Sequence, residues 1–137
     1  MLDDDLLRVL EKYPPATVSI SVYGTERKTY ESVTNVDGSF ERFMANLEML
    51  YKADIDLELK FIGMRENVGD FHSAEKLAEK FHAKFKYNLE LFPQLQGSCS
   101  IEKHKLSIDE IISLEASHPK TASICANNIK DSNPFED

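Results

Sequence analysis

No stretch of the chain stays apolar for the roughly 20 residues that a membrane-spanning helix requires, so nothing in it reads as a span. The opening MLDDDLL is acidic where a secretory leader carries basic residues, and the expectation is a cytoplasmic protein. Positive charge is scarce as well: 16 Lys and Arg against 24 Asp and Glu leave a formal charge of -8. Such a balance repels phosphate backbones and anionic lipid, which argues against nucleic acid and membrane surfaces as partners. Cysteine is nearly absent. Cys99 and Cys125 lie far apart, with no CxxC and no clustered histidine beside them, and read as ordinary reduced thiols rather than metal ligands. His72, His82, His104 and His118 are scattered and read as surface or helix-face residues. Neither a short-period repeat nor a low-complexity tract is present.

What the chain does have is enough apolar material for one domain with a core: 137 residues, 42% of them hydrophobic. The organising stretch runs from Pro14 to Asn35. Its strand, residues 16–23, alternates: Val18, Ile20 and Val22 point one way, while Thr17, Ser19, Ser21 and Tyr23 point the other. Before it, Leu2, Leu6, Leu7 and Leu10 form one face of a helix that begins on three aspartates and stops at Pro14-Pro15. After it, 26–33 is a turn or two of helix, ended by Asn35-Val36-Asp37-Gly38. Ser39 is expected to cap a stronger helix whose Phe40, Phe43, Met44, Leu47, Leu50 and Tyr51 recur at steps of three and four.

The pattern then repeats. A second strand, 55–62, puts Leu57, Leu59 and Phe61 on one face and Glu58, Lys60 and Ile62 on the other, with Gly63 to Asn67 as its exit loop. A helix over 68–83 carries Phe71, Ala74, Leu77, Ala78 and Phe81 on its inner stripe. A third strand, 84–92, sends Phe85, Tyr87, Leu89 and Leu91 to one side and Lys86, Asn88 and Glu90 to the other, until Pro93 breaks it. A loop follows, then a last helix opened by a capping box at Ser107 and Glu110, with Ile108, Ile111, Ile112 and Leu114 as its apolar side. From 119 to 137 the composition is that of a flexible tail.

Strands alternating with helices imply βαβ units and a parallel sheet. A doubly wound sheet, covered on both faces, would show near-continuous apolar strands. These three do not, which is the signature of helices on the outside only and polar side chains on a lumen. The expected fold is therefore α/β, a partial (βα) barrel section over 1–118, since a closed eight-stranded barrel takes about 250 residues.

The block PPATVSISVYGTERKTYESVTNVDGSFERFMANLEMLYKADIDLELKF resembles the fourth through fifth strands of radical S-adenosylmethionine (radical SAM) enzymes, of the type with an additional cysteine-rich, SPASM-like iron-sulfur domain. The matching pieces are Ile20 to Gly24, Thr29 to Glu31, Gly38 to Glu41 and Leu57 to Lys60, and the similarity covers roughly residues 3–118. It implies the carboxy-terminal part of the barrel, S-adenosylmethionine as cofactor, and a four-iron four-sulfur cluster held by a CxxxCxxC loop. An intact relative cleaves the cofactor reductively and uses the resulting radical to abstract hydrogen from a substrate, frequently a peptide. This chain contains no CxxxCxxC. It is thus expected to be inactive alone and to bind neither cofactor by itself, with a partner chain or a missing barrel half completing it.

The resemblance also places candidate cofactor contacts. Ser21 would touch the ribose or methionine end; otherwise it bonds to a neighbouring strand or to water. Lys60 would sit near the methionyl carboxylate, or else pair with Glu58 or Glu90. The window LKFIGMRE resembles a GxIxGxxE stretch that cradles adenine, matching at Gly63 and Glu66 and departing at Leu59 and Phe61, which puts contacts at Ile62 and Gly63. Asn67 reads as a helix cap. Asn88 replaces a carboxylate and cannot titrate. Against the enzyme fragment stands a non-enzymatic α/β module that binds a small ligand or self-associates through an exposed first-strand edge, and a homodimer is expected under both readings.

Overall fold

The computed structural model describes residues 4–91 and 99–118. The chain divides into two units, Met1–Lys105 and Leu106–Asp137. In the first, the elements are α1 (Asp4–Lys12), β1 (Val18–Val22), α2 (Arg27–Thr34), α3 (Ser39–Lys52), β2 (Leu57–Ile62), a 3-10 turn (Val68–Asp70), α4 (Phe71–Lys80), β3 (Lys84–Asn88) and a second 3-10 turn (Cys99–Lys103). The three strands form one sheet in the order β1-β2-β3, and both pairings are parallel. This is the α/β architecture that the alternation of helix and strand predicts, a section of the wall of a (βα) barrel.

Register explains why the two faces differ. Ile20, Leu59 and Phe85 are paired neighbours in one row, and Val22, Phe61 and Tyr87 in the next. The intervening rows hold Ser19, Glu58 and Lys84, then Ser21, Lys60 and Lys86. Because paired residues of parallel strands point to the same face, every apolar row lies on one side and every polar row on the other. Phe71, the first residue of α4, packs on the apolar side, its ring centroid 5.7 Å from Phe61, 5.7 Å from Phe85 and 5.2 Å from Tyr87. Leu47, Leu50, Ala74, Ala78, Leu57 and Leu59 are buried in the same unit. On the polar side Ser19, Lys60, Lys84 and Lys86 are exposed, and Ser21, Glu58, Ile62 and Asn88 are half-buried.

Several boundaries differ from the sequence pattern, each for a local reason. Gly38, at φ +70°, is the residue before α3, so Ser39 is its first helical residue, and the Ser39 hydroxyl lies 2.7 Å from that of Thr34 instead of capping. The Gly38 N–H donates to Glu31 Oε1 at 2.6 Å, and Asn35, left-handed at φ 54°, closes α2. β2 begins at Leu57 because the Ile55 N–H is bonded to the Leu50 carbonyl at the end of α3. The third helix is split into the turn Val68–Asp70 and α4, and β3 ends at Asn88, whose side-chain oxygen accepts from the Glu90 N–H at 3.1 Å.

In the second unit α5 (Ile108–Ser117) starts on the expected capping box: the Glu110 N–H donates to Ser107 Oγ at 3.2 Å, and the Ser107 N–H to Glu110 Oε2 at 2.7 Å. Ile108 and Ile112 are exposed. The expected tail over 119–137, with Cys125, lies outside the described residues, as does the side chain of Cys99.

Candidate functional site

Ligands of parallel α/β sheets bind beyond the carboxyl ends of the strands, and here those ends are tied together by side-chain hydrogen bonds. Asn67 is the most completely buried polar side chain described, at 1% exposure. It makes no helix-cap bond. Its Nδ2 donates to the Tyr23 carbonyl at 3.0 Å and the Ile62 carbonyl at 2.8 Å, while its Oδ1 accepts from the Met64 N–H at 2.7 Å. One carboxamide therefore joins the exits of β1 and β2 and fixes the loop between β2 and α4. Asp70 adds a second tie, Oδ2 accepting from the Thr25 N–H at 2.8 Å.

Ser21 and Lys60 are register partners on the polar face. Neither has a side-chain partner among the described residues. Glu58, one of the two anions expected to pair with Lys60, is instead taken by Lys86 Nζ at 2.7 Å and by the Ser19 hydroxyl at 3.1 Å. The Lys86 bond holds the Glu58 carboxyl below its usual range, against partial desolvation and with help from Ser19. Lys60 is left without a counter-ion among the described residues, in the row that pairs it with Ser21. Ile62 and Gly63 end the strand two residues further on. The Ile62 carbonyl accepts from Asn67, and the Gly63 N–H donates to the Asn88 carbonyl at 2.8 Å. A side chain at Gly63 would meet Leu89 Cδ2 at 2.5 Å, so anything larger than glycine there makes the Leu89 side chain move.

Two of the cavities among the described residues bear on the site. The larger, about 390 Å³, is lined by Tyr51, Asp54, Ile55, Asp56, Phe81 and His82 among others, at the amino-terminal end of β2. The smaller, about 200 Å³, is lined by Ser32, Val33, Met64, Glu66 and His104 at the carboxyl end. Neither is lined by Ser21, Lys60, Ile62 or Gly63, although Met64 follows Gly63 directly. In the smaller cavity Glu66 bonds to Nδ1 of His104. The sequence flagged Glu66 only through its motif and took His104 for a surface residue; 38 positions separate them, and no local pattern could have joined them.

The chain is similar to a protein named AdoMet-dependent heme synthase from Methanosarcina barkeri (strain Fusaro / DSM 804), at 23% identity over 112 residues. This likeness supports the radical SAM family for the chain. The matched part is 82% of this chain and 32% of that protein, so the chain spans about a third of the length of the radical SAM relative it matches. No protein-family model and no solved structure matches it. A radical SAM cluster of the kind held by CxxxCxxC takes three thiolates, and two cysteines do not fit it. Among the described residues no helix is long and apolar enough to cross a membrane.

Proposed function

We propose that this chain is the carboxy-terminal part of a radical SAM-type barrel domain, of the kind with a SPASM-like iron-sulfur extension, in which the polar sheet face and the exit of β2 hold part of S-adenosylmethionine. The observation that carries the reading is the pairing of Ser21 with an uncommitted Lys60 on one polar face, in a chain similar to an AdoMet-dependent protein. A lysine without a counter-ion among the described residues, in register with a serine, suits an amino-acid carboxylate. Ile62 and Gly63 would meet the adenine by van der Waals contact and through carbonyl lone pairs, since the Gly63 N–H is already donated. When complete, such a domain supplies radical hydrogen abstraction; this chain's own residues would bind and orient the cofactor. It acts in the cytoplasm and depends on a cluster-bearing barrel half or partner.

The test is a titration of the full chain with S-adenosylmethionine, followed by backbone amide NMR. Shifts at Ser21, Lys60, Ile62 and Gly63, lost in Lys60→Ala, are expected. Shifts confined to the Tyr51 and His82 cavity, or none at millimolar ligand, would overturn the reading. Reconstitution with iron and sulfide is expected to give no thiolate-ligated cluster.

A second reading, a self-associating module, is favoured by one observation. β1 lies at the sheet edge, and Leu6 and Val9 of α1, with Tyr13 just after it, are exposed. Sedimentation of the full chain decides it: a dimer that persists at micromolar concentration supports that reading, a monomer removes it.

A further inference from the structure

We infer that Glu66 and His104 form an acid-base pair serving the 200 Å³ cavity they line with Ser32, Val33 and Met64, and that this cavity takes a small, partly apolar molecule carrying one acidic proton. This inference does not rest on the family reading, because it needs no cofactor.

Both partners are fixed independently of the bond between them. The Arg65 N–H donates to the His104 carbonyl at 3.0 Å, and Arg65 Nε to the Lys105 carbonyl at 2.7 Å, so the loop after β2 and the segment 101–105 are tied together on either side of the pair. The His104 N–H donates to the Ile101 carbonyl at 3.0 Å. With Nδ1 committed to a carboxylate, Nε2 is the ring nitrogen left to exchange a proton. A proton gained there makes an imidazolium whose charge the carboxylate on the opposite nitrogen offsets, the arrangement by which carboxylates orient and poise histidine bases. The other charged groups on the two segments do not compete: Lys105 pairs with Glu102 at 2.6 Å, Arg65 is turned to a carbonyl, and Lys103 is exposed.

The cavity wall supplies the rest. Val33 and Met64 offer an apolar surface, and the Ser32 hydroxyl, already donating to the Thr29 carbonyl at 2.7 Å, has only acceptor capacity left. In the step inferred, a C–H or O–H bond of the ligand breaks, the proton passes to Nε2 of His104, and the electron pair stays on the ligand. The reverse returns the proton, and no oxidant or second reactant is needed.

The probe is 5-nitrobenzisoxazole, whose carbon-bound proton is removed by a base as the N–O bond opens to a coloured cyanophenolate. The full chain is expected to accelerate this about 100-fold over an equal concentration of free imidazole. His104→Gln should abolish the excess while keeping a side chain that can bond Glu66. Glu66→Gln should remove most of the excess rate, because the carboxylate that orients the ring is gone; His72→Ala should change nothing. A rate unchanged in His104→Gln, or one unchanged in Glu66→Gln, overturns the inference. Should a variant fail to fold, ring-nitrogen NMR of the unaltered chain decides: the neutral His104 ring must carry its proton on Nδ1, and the opposite tautomer refutes the pair.

Discussion

Replacing Asn67 by alanine tests whether one buried carboxamide joins the two strand exits. The substitution strands the Met64 N–H and strips one bond from each of the Tyr23 and Ile62 carbonyls, at a position 1% exposed. A buried donor left unpaired costs roughly 1–3 kcal/mol, and each lost bond to a carbonyl about 1 kcal/mol. The sum is about 3–5 kcal/mol, a large share of the 5–15 kcal/mol that typically holds a domain. In a chain of 137 residues that lowers the unfolding temperature by about 10–17 °C. Urea unfolding followed by circular dichroism measures the free energy, and amide hydrogen exchange at Met64 and Thr25 locates the loosening. Asn67→Asp sharpens the test: it keeps the Met64 bond but sets a carboxylate against two carbonyl oxygens, which raises its folded pKa. Its stabilising contribution is then present below the unfolded value of about 3.9 and lost as pH rises through the raised folded one, so this variant should gain on Asn67→Ala in acid. A loss under about 1 kcal/mol in Asn67→Ala would mean that water replaces the side chain, and the latch would be refuted.

The remaining predictions concern charge and close packing. Glu58 lies below its ordinary carboxyl range chiefly through Lys86; at Glu31 partial desolvation pulls upward, and the bonds from Arg27 and the Gly38 N–H more than offset it. Both carboxylates therefore contribute stability above pH 4.5, lost as pH falls through their lowered folded values; urea midpoints between pH 6 and 3 should fall, with a shallower slope in Glu58→Gln and Glu31→Gln. Gly63→Ala forces Cβ against Leu89 Cδ2 at 2.5 Å and should cost about 1–3 kcal/mol by overpacking. Adding Leu89→Ala, itself costing about 2–5 kcal/mol, should give a double variant well above the sum of the two, whereas strict additivity would show that the glycine is there for another reason.

The period-two patterning was legible because a strand has one simple rule, and the rows Ile20-Leu59-Phe85 and Ser21-Lys60-Lys86 obey it in register. Element ends were less so. They are set by long-range bonds: Glu31 holding Gly38, Ile55 returning to Leu50, Asn88 turning its own chain. Asn67 looked like a cap because asparagine before a helix usually is one; two of its three bonds reach strand-end carbonyls, one of them 44 residues away. Lys60 had two anions within plausible reach by sequence, and only the register shows Glu58 facing Lys84 in its own row and bonding Lys86 in the next.

The two ends of the sheet are built by different means, and the difference bears on where chemistry can be held. At the amino-terminal end of β2 the chain turns through left-handed Asp54 and His82, at φ 56° and 52°, with backbone bonds closing the helices. At the carboxyl end, side chains do the closing: Asn67, Asp70, Glu66 and Arg65 each bind a group from another segment. Side-chain ties between segments hold loops at fixed spacing without making them strands or helices, and fixed loops are what a preorganised site requires. The larger cavity is at the first end, the tied loops at the second. If site chemistry follows preorganisation, the smaller cavity is the functional one, and ligand-induced shifts at Met64 and Glu66 should exceed those at Tyr51 and His82.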